Sequence, residues 1–130
     1  MKYIFVIARV LLGLVFTVFG LNGFFNFIHQ PPPANPLALQ FFGAIVASHF
    51  AAFFFAVQLI GGLLLVSGFF VPFALTLLAA EIYNILAFHI TLSPNTIAPA
   101  LLAGVLWVLV FLQYRESYKG ILAAKPATQN

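Results

Sequence analysis

The hydrophobic positions of this chain form long continuous runs instead of the narrow stripes of a soluble amphipathic helix. The first run, residues 3–28, is interrupted by a single charge at Arg9. At about 1.5 Å per residue it is long enough to cross roughly 30 Å of hydrocarbon. Residues 72–89 and 97–114 form two further runs of this kind. We therefore predict membrane-spanning helices over these three segments; a cleaved signal peptide is the alternative for the first.

A longer apolar run, residues 37–70, exceeds what one upright span requires. Ser48 and His49 interrupt it, and Ser is a common residue at helix N-caps. The pattern predicts a short helix along the membrane interface over residues 37–47 and a further span over residues 50–68. One strongly tilted helix is the alternative.

The connections between these segments carry clear turn signals. Residues 29–36 include four prolines, which predict a loop outside the membrane because proline lacks the helical N–H donor. Gly68 and Pro72 bracket a tight turn, since glycine favours the end of a helix and proline the first turn of the next. The chain is thus predicted to hold a four-span domain over residues 1–114 and a polar tail over residues 115–130.

Composition supports a membrane protein and excludes several functions. Hydrophobic residues make up 64% of the chain and charged residues 5%, whereas soluble domains have about 25% charged residues. The fold predicted is an all-α, integral membrane four-helix bundle with an interfacial helix before the second span. The absence of cysteine excludes disulfides, thiolate metal sites and thiol redox chemistry. The net charge of +3 comes from scattered residues, so no nucleic-acid partner is expected.

The positive charges are distributed unevenly between the two ends of the predicted bundle. Lys2 and Arg9 lie at its start and Arg115, Lys119 and Lys125 at its end, while the loops on the opposite side contain no Lys or Arg. Short loops rich in Lys and Arg stay in the cytoplasm. We therefore expect both termini to be cytoplasmic.

A few polar side chains lie inside the predicted spans and are candidates for a site. Counting helical rise places Arg9, Gln58 and Glu81 roughly 9–15 Å below the same membrane surface. This shared depth predicts an ion pair between Arg9 and Glu81, with Gln58 and Asn84 completing the hydrogen bonds of a polar pocket. Asn22, in the first span, is a further candidate.

Two simpler interpretations of this cluster stay open. Arg9 is close enough to the interface to extend its guanidinium toward lipid phosphates, and Glu81 can remain protonated and donate one hydrogen bond. Even a formed pair can act only to fix the order of the helices.

His29, His49 and His89 all fall at the outer ends of their segments. Of these, His49 and His89 are candidates on the outer face, where a haem or metal ion is one reading and interfacial hydrogen bonding the other. Their spacings match no ligand motif, so we predict no metal site.

Glycines recur at helical spacing in the first two spans. Small residues allow helix backbones to approach closely, so the pattern favours tight packing of these two spans. A flat ring such as a quinone on the glycine face is the alternative. The residues are Gly13, Gly20, Gly23, Gly61 and Gly62.

Three segments resemble the DoxX family of small bacterial membrane proteins: residues 9–13 (RVLLG) with Phe19-Gly20, residues 58–68 (QLIGGLLLVSG), and a third span ending in His89. The resemblance covers roughly residues 5–112 and implies a four-helix bundle in the bacterial inner membrane. It also implies association with redox enzymes, because relatives form a subunit of a thiosulfate:quinone oxidoreductase or belong to oxidative-stress complexes. Family members commonly have Glu at the position of Gln58 and Lys at that of Asn22.

The function expected from the sequence is therefore that of a membrane subunit or accessory of a redox complex, with a quinone as the candidate cofactor. Its expected partners are the lipid bilayer and a redox-enzyme subunit. A small proton-coupled transporter that uses Glu81 is one alternative. A purely structural or assembly protein is the other.

Overall fold

A computed structural model describes residues 2–129 of the protein, and within that range the chain is helical without strands. Four of its helices are long and apolar enough to cross a membrane, which defines a multi-pass membrane protein and confirms the predicted bundle. The helices are α1 (Lys2–Phe25), α2 (Pro36–Ala47), α3 (Phe50–Ser67), α4 (Val71–Leu92) and α5 (Ala98–Tyr114), with 3-10 turns at Pro94–Thr96 and Arg115–Tyr118.

The four long helices form a closed ring in which each contacts its two neighbours. α1 packs on α3, α3 on α4, α4 on α5, and α5 returns to α1. Because successive helices are antiparallel, α1 begins and α5 ends at the same end of the bundle, here termed the terminal end; the opposite end is the distal end. The shared core is aliphatic and includes Leu12, Leu65, Leu75, Leu78 and Val110, all fully buried.

Two helix boundaries differ from the predicted spans, and local backbone chemistry explains both. α1 ends at Phe25 instead of residue 28, since Asn26 adopts a left-handed backbone conformation with φ of 49°. α4 continues to Leu92, three residues beyond the predicted end at His89. No proline interrupts it before Pro94, and the Ser93 N–H still donates to the carbonyl of His89 at 3.2 Å.

The turn between α3 and α4 has the predicted form. Gly68 adopts φ of 82° and its N–H donates to the Leu64 carbonyl at 3.0 Å, which ends α3 with a left-handed glycine. Phe70 also has a positive φ, of 54°, and Pro72 lies in the first turn of α4. Three residues therefore suffice to reverse the chain.

The predicted helix between the first two spans is present as α2, and the break falls at Ser48 and His49 as expected. The Asn35 side chain begins α2 by accepting from the Leu37 N–H at 2.9 Å, and it donates to the Leu92 carbonyl at 3.1 Å. Since the other end of α2 leads directly into α3, both its ends lie at the distal end of the bundle. α2 therefore runs along that end, with the Phe42 ring 4.9 Å from the ring of Phe88.

The first turn of the predicted tail is docked onto the bundle. Tyr118 is buried, and its hydroxyl donates to the Pro72 carbonyl at 2.6 Å. Its ring lies 5.0 Å from that of Phe111. Residues 119–129 are exposed and form only turns and irregular structure.

α1 and α3 cross at backbone contact, as the glycine pattern predicts. A Cβ added to Gly13 would lie 2.8 Å from the backbone nitrogen of Val66. One added to Gly62 would lie 2.5 Å from the backbone nitrogen of Thr17 and 2.9 Å from the carbonyl oxygen of Gly13. The glycine surfaces are thus filled by the neighbouring helix, which leaves no room there for a quinone ring.

We expect Gly62→Ala to destabilise the bundle by about 1–3 kcal/mol, because backbone atoms cannot move aside as a flexible side chain can. Thermal unfolding of the purified protein in detergent measures this loss. Gly104→Ala is the matched control, since a Cβ there meets nothing within 4 Å. Equal melting temperatures for the two variants would contradict the close crossing.

Candidate functional site

The strongest candidate site is a pair of polar side chains at the centre of the bundle. The Gln58 side-chain amide Nε2 donates to Glu81 Oε2 at 3.4 Å. Both residues are almost fully buried, with 6% and 5% of their surfaces exposed. Gln58 lies midway along α3 and Glu81 midway along α4. The pair is therefore at the depth where the surrounding medium is least polar.

The short turn between α3 and α4 brings these two residues to the same level. Gln58 lies nine residues before the end of α3 and Glu81 ten residues after the start of α4, so equal helical rise from the turn places them opposite each other. Gly61 keeps the two helices close, because a Cβ there would lie 2.7 Å from Cγ of Leu78. The sequence thus fixes this contact by register.

The pair retains hydrogen-bonding capacity. In residues 2–129, the bond between them is the only side-chain hydrogen bond that either residue makes. The only fully enclosed side-chain polar atom without a partner in that range is Oγ1 of Thr17. The second oxygen of Glu81 and the amide oxygen of Gln58 are consequently unpaired yet not sealed off. Each of these two oxygens therefore has a lone pair free to accept a further hydrogen bond.

The predicted ion pair between Arg9 and Glu81 is wrong. The Arg9 guanidinium instead donates to the carbonyls of Leu65 and Val66, the latter at 3.4 Å, and packs against Gly68. Across the described chain, the one ion pair joins Lys119 to Glu116. Arg9 lies about 10 Å from the start of α1 and Glu81 about 15 Å from the start of α4, and helical side chains lean toward the N-terminus. The guanidinium therefore extends to the carboxyl end of α3, where carbonyls need donors.

Asn84 does not join the pair. It is exposed on the outside of α4, and its side-chain Nδ2 donates to the carbonyl of Ala80 at 2.8 Å. Residues three apart differ by about 60° around a helix, and here that rotation separates buried Glu81 from the outer surface. The prediction that Glu81 and Asn84 share one face of the pocket is therefore wrong.

Asn22 has a different role from the one predicted. Its Oδ1 accepts from the Ile28 N–H at 2.6 Å, and its Nδ2 donates to the Ile28 carbonyl at 3.3 Å. The side chain thus holds the chain where it leaves α1. It lies toward the distal end, away from the pair between α3 and α4.

The two histidine candidates have separate local roles. His49 is the residue before α3 and adopts a left-handed φ of 64° with no side-chain cap bond. The Nδ1 of His89 donates to the Ile85 carbonyl at 2.8 Å, one turn earlier in α4. No group of three or more metal-ligating side chains lies together within residues 2–129.

Two open grooves in the structure lie away from the polar pair. Both are apolar and on the outside of the bundle, one beside Gly104 between α4 and α5 and one along the outer face of α1. Neither groove is lined by Gln58 or Glu81. These two grooves therefore offer no route to the pair.

Sequence reasoning missed side chains that bind backbone carbonyls between helices. The Trp107 indole N–H donates to the Leu75 carbonyl at 2.9 Å, and Tyr118 and Asn35 make the comparable bonds described above. A usable signal existed for Trp107, since a buried indole N–H nearly always has a partner. The identity of the partner depends on how α4 and α5 pack.

A scan against protein-family models, a search of curated proteins and a search of solved structures each found no match to the chain.

Gln58→Leu should destabilise the protein by about 1–3 kcal/mol, because it leaves a carboxyl group in the bundle without its donor. The double variant Gln58→Leu, Glu81→Leu should be more stable than the sum of the single losses predicts. Denaturation of the purified protein in detergent measures these differences. Gln113→Leu, which replaces an exposed glutamine near the end of α5, is the matched control and should have little effect.

Arg9→Leu and Glu81→Leu should have additive effects on stability, within about 0.5 kcal/mol, since the two side chains bind different partners. The same denaturation assay on both single variants and the double variant tests this. A coupling energy well above that limit would indicate that Arg9 and Glu81 form an ion pair after all.

Proposed function

We propose that this protein is a membrane subunit or accessory of a quinone-linked redox complex in the bacterial inner membrane, and that Glu81 exchanges a proton there. The observation that carries the proposal is the contact between Gln58 and Glu81 at mid-membrane depth, with no cation to neutralise the acid in residues 2–129. A carboxyl group in that setting is costly and is typical of proton-handling sites.

The chemistry of the pair suits a quinone, which gains and loses protons, better than a ligand of fixed charge. Reduction of a quinone takes up protons at its oxygens, and oxidation of the quinol releases them. Glu81 can supply or receive such a proton, while the Gln58 amide holds the carboxyl in place and offers an oxygen as acceptor. The unpaired oxygen of Glu81 is the atom available for this exchange, and the amide oxygen of Gln58 can only accept a hydrogen bond.

The resemblance to the DoxX family points in the same direction. Its short glycine-rich segments, residues 9–13 and 58–68, lie in the close crossing of α1 and α3. The family assignment stays a prediction, as does the redox partner. We place the terminal end in the cytoplasm, because all five Lys and Arg residues lie at that end of the chain's bundle or in its tail.

A small proton-coupled transporter is the second candidate. It is favoured by the same finding that Arg9 binds backbone carbonyls and leaves Glu81 without a counter-charge. A carboxyl group free of a fixed cation can exchange its proton for a cationic solute.

Replacing Glu81 with Gln tests the redox proposal. We compare membranes from a deletion strain that carries either the wild-type gene or the Glu81→Gln variant. The variant should restore quinone reduction at a rate at least tenfold lower than the wild-type gene does, because losing the proton donor raises the reaction barrier by about 1.4 kcal/mol or more. Quinone reduction is followed by absorbance with the native respiratory substrates. Gln113→Leu serves as the control and should restore wild-type rates.

The outcomes separate the candidate functions. If deletion of the gene leaves quinone reduction unchanged, the redox proposal is rejected. If drug resistance or solute uptake instead depends on Glu81, the transporter is supported. Full complementation by a folded Glu81→Gln protein in every assay would leave a structural role for the pair.

A further inference from the structure

The outer surface of the bundle is not uniform around the ring of helices. In their membrane-spanning portions, α1, α3 and α5 present large aliphatic and aromatic side chains outward, as expected for contact with lipid tails. These exposed residues include Ile7, Leu11, Leu14, Phe53, Ile60, Leu63, Leu102, Val105 and Val108. Contact with lipid tails is therefore sufficient to explain the composition of these faces.

The outward face of α4 has a different composition. Its exposed positions recur at spacings of three and four residues, which define one continuous stripe along the helix. Small and hydroxyl- or amide-bearing side chains occupy most of its length. We call this stripe the α4 outer face; it comprises Thr76, Ala80, Tyr83, Asn84 and Ala87, and the exposed large apolar residues Phe73 and Ile90 flank it toward the two ends of the helix.

Two polar side chains of this face lie deep in the membrane. Asn84 is eight residues from the distal end of α4 and Tyr83 nine, or about 12–14 Å below that end. Tyr83 is 74% exposed, and it makes no side-chain hydrogen bond within residues 2–129. Because helical side chains lean toward the N-terminus, neither reaches back to the distal surface. Hydrocarbon offers them no hydrogen-bond partner.

We propose that the α4 outer face is the contact surface between two copies of this protein, related by a two-fold axis along the membrane normal. Such an axis brings each residue of the face opposite its own copy at the same depth. The surface must therefore be complementary to itself. Small residues at Ala80 and Ala87 allow two α4 helices to approach closely.

Asn84 meets the requirement of self-complementarity. A side-chain amide has two N–H donors and an acceptor oxygen, and one donor is used by the Ala80 carbonyl. One N–H and the oxygen remain, so each Asn84 can donate to and accept from the other. The face also carries no Lys, Arg, Asp or Glu, so nothing on it repels an identical copy.

The proposed contact is independent of the proposed function. Glu81 is buried and bonded to α3, about 60° around the helix from Asn84, so the α4 outer face can pair without breaking that bond. Failure of either proposal would leave the other intact.

Cysteine cross-linking in native membranes tests the contact, and the cysteine-free chain provides a clean background. Ala87→Cys should form a disulfide-linked dimer of this protein after mild oxidation. Leu102→Cys is the matched control: it is exposed on α5 four residues from the distal end, whereas Ala87 on α4 is five. We expect little cross-linking there.

Self-association in lipid vesicles measures the contribution of Asn84. Donor and acceptor dyes on a single cysteine in the exposed tail, Ala124→Cys, should give energy transfer that rises with protein-to-lipid ratio. Adding Asn84→Leu should weaken association roughly 3- to 20-fold, the range of interhelical hydrogen bonds in membranes. Adding Leu102→Ala should leave it unchanged.

Three results would overturn the proposal. Equal cross-linking at positions 87 and 102 would indicate random collision, and a monomer at every protein-to-lipid ratio would leave the face to lipid. A cross-link from position 87 exclusively to a different membrane protein would assign the face to that partner instead.

Discussion

Hydrocarbon supplies neither hydrogen-bond donors nor acceptors, so each polar side chain inside this bundle needs a partner from the protein itself. Most find one in the backbone. Arg9 binds carbonyls at the end of α3, Asn35 binds the last carbonyl of α4, and Trp107 binds a carbonyl within α4. These bonds tie helix to helix at places where apolar packing alone has little directional preference. The contact between Gln58 and Glu81 stands apart, because both partners there are side chains and both keep unused capacity.

Backbone contact between α1 and α3 makes several of these bonds geometrically available. Gly13 and Gly62 allow the helices to approach until main-chain atoms touch, and the Arg9 side chain then spans the remaining gap to the carbonyls of α3. The hydroxyl of Thr17 is enclosed at the same crossing without a partner. An enclosed unpaired hydroxyl is a cost, which indicates that close approach of the helices dominates the energetics here.

The sequence predicted those features that depend on length and on local chemistry. The lengths of the apolar runs predicted the spans. Ser48 and His49 predicted the break before α3, and Gly68 with Pro72 predicted the tight turn. Counting residues along a helix gives depth and the relative angle of side chains on that helix, however, and not which face packs against the neighbouring helices. Depth alone therefore paired Arg9 with Glu81 and placed Asn84 beside them, although rotation and side-chain lean separate all three. Gln58 and Glu81 were predictable as neighbours because a three-residue turn fixes the register of α3 against α4.

The bond from Tyr118 to Pro72 has a practical consequence for labelling the protein. It anchors the chain beside the start of α4, so a label on exposed Ala124 lies six residues from a fixed point. Fully extended, six residues span about 20 Å. A fluorophore at that position therefore stays within about that distance of Tyr118, and its average position marks the terminal end of the ring of helices.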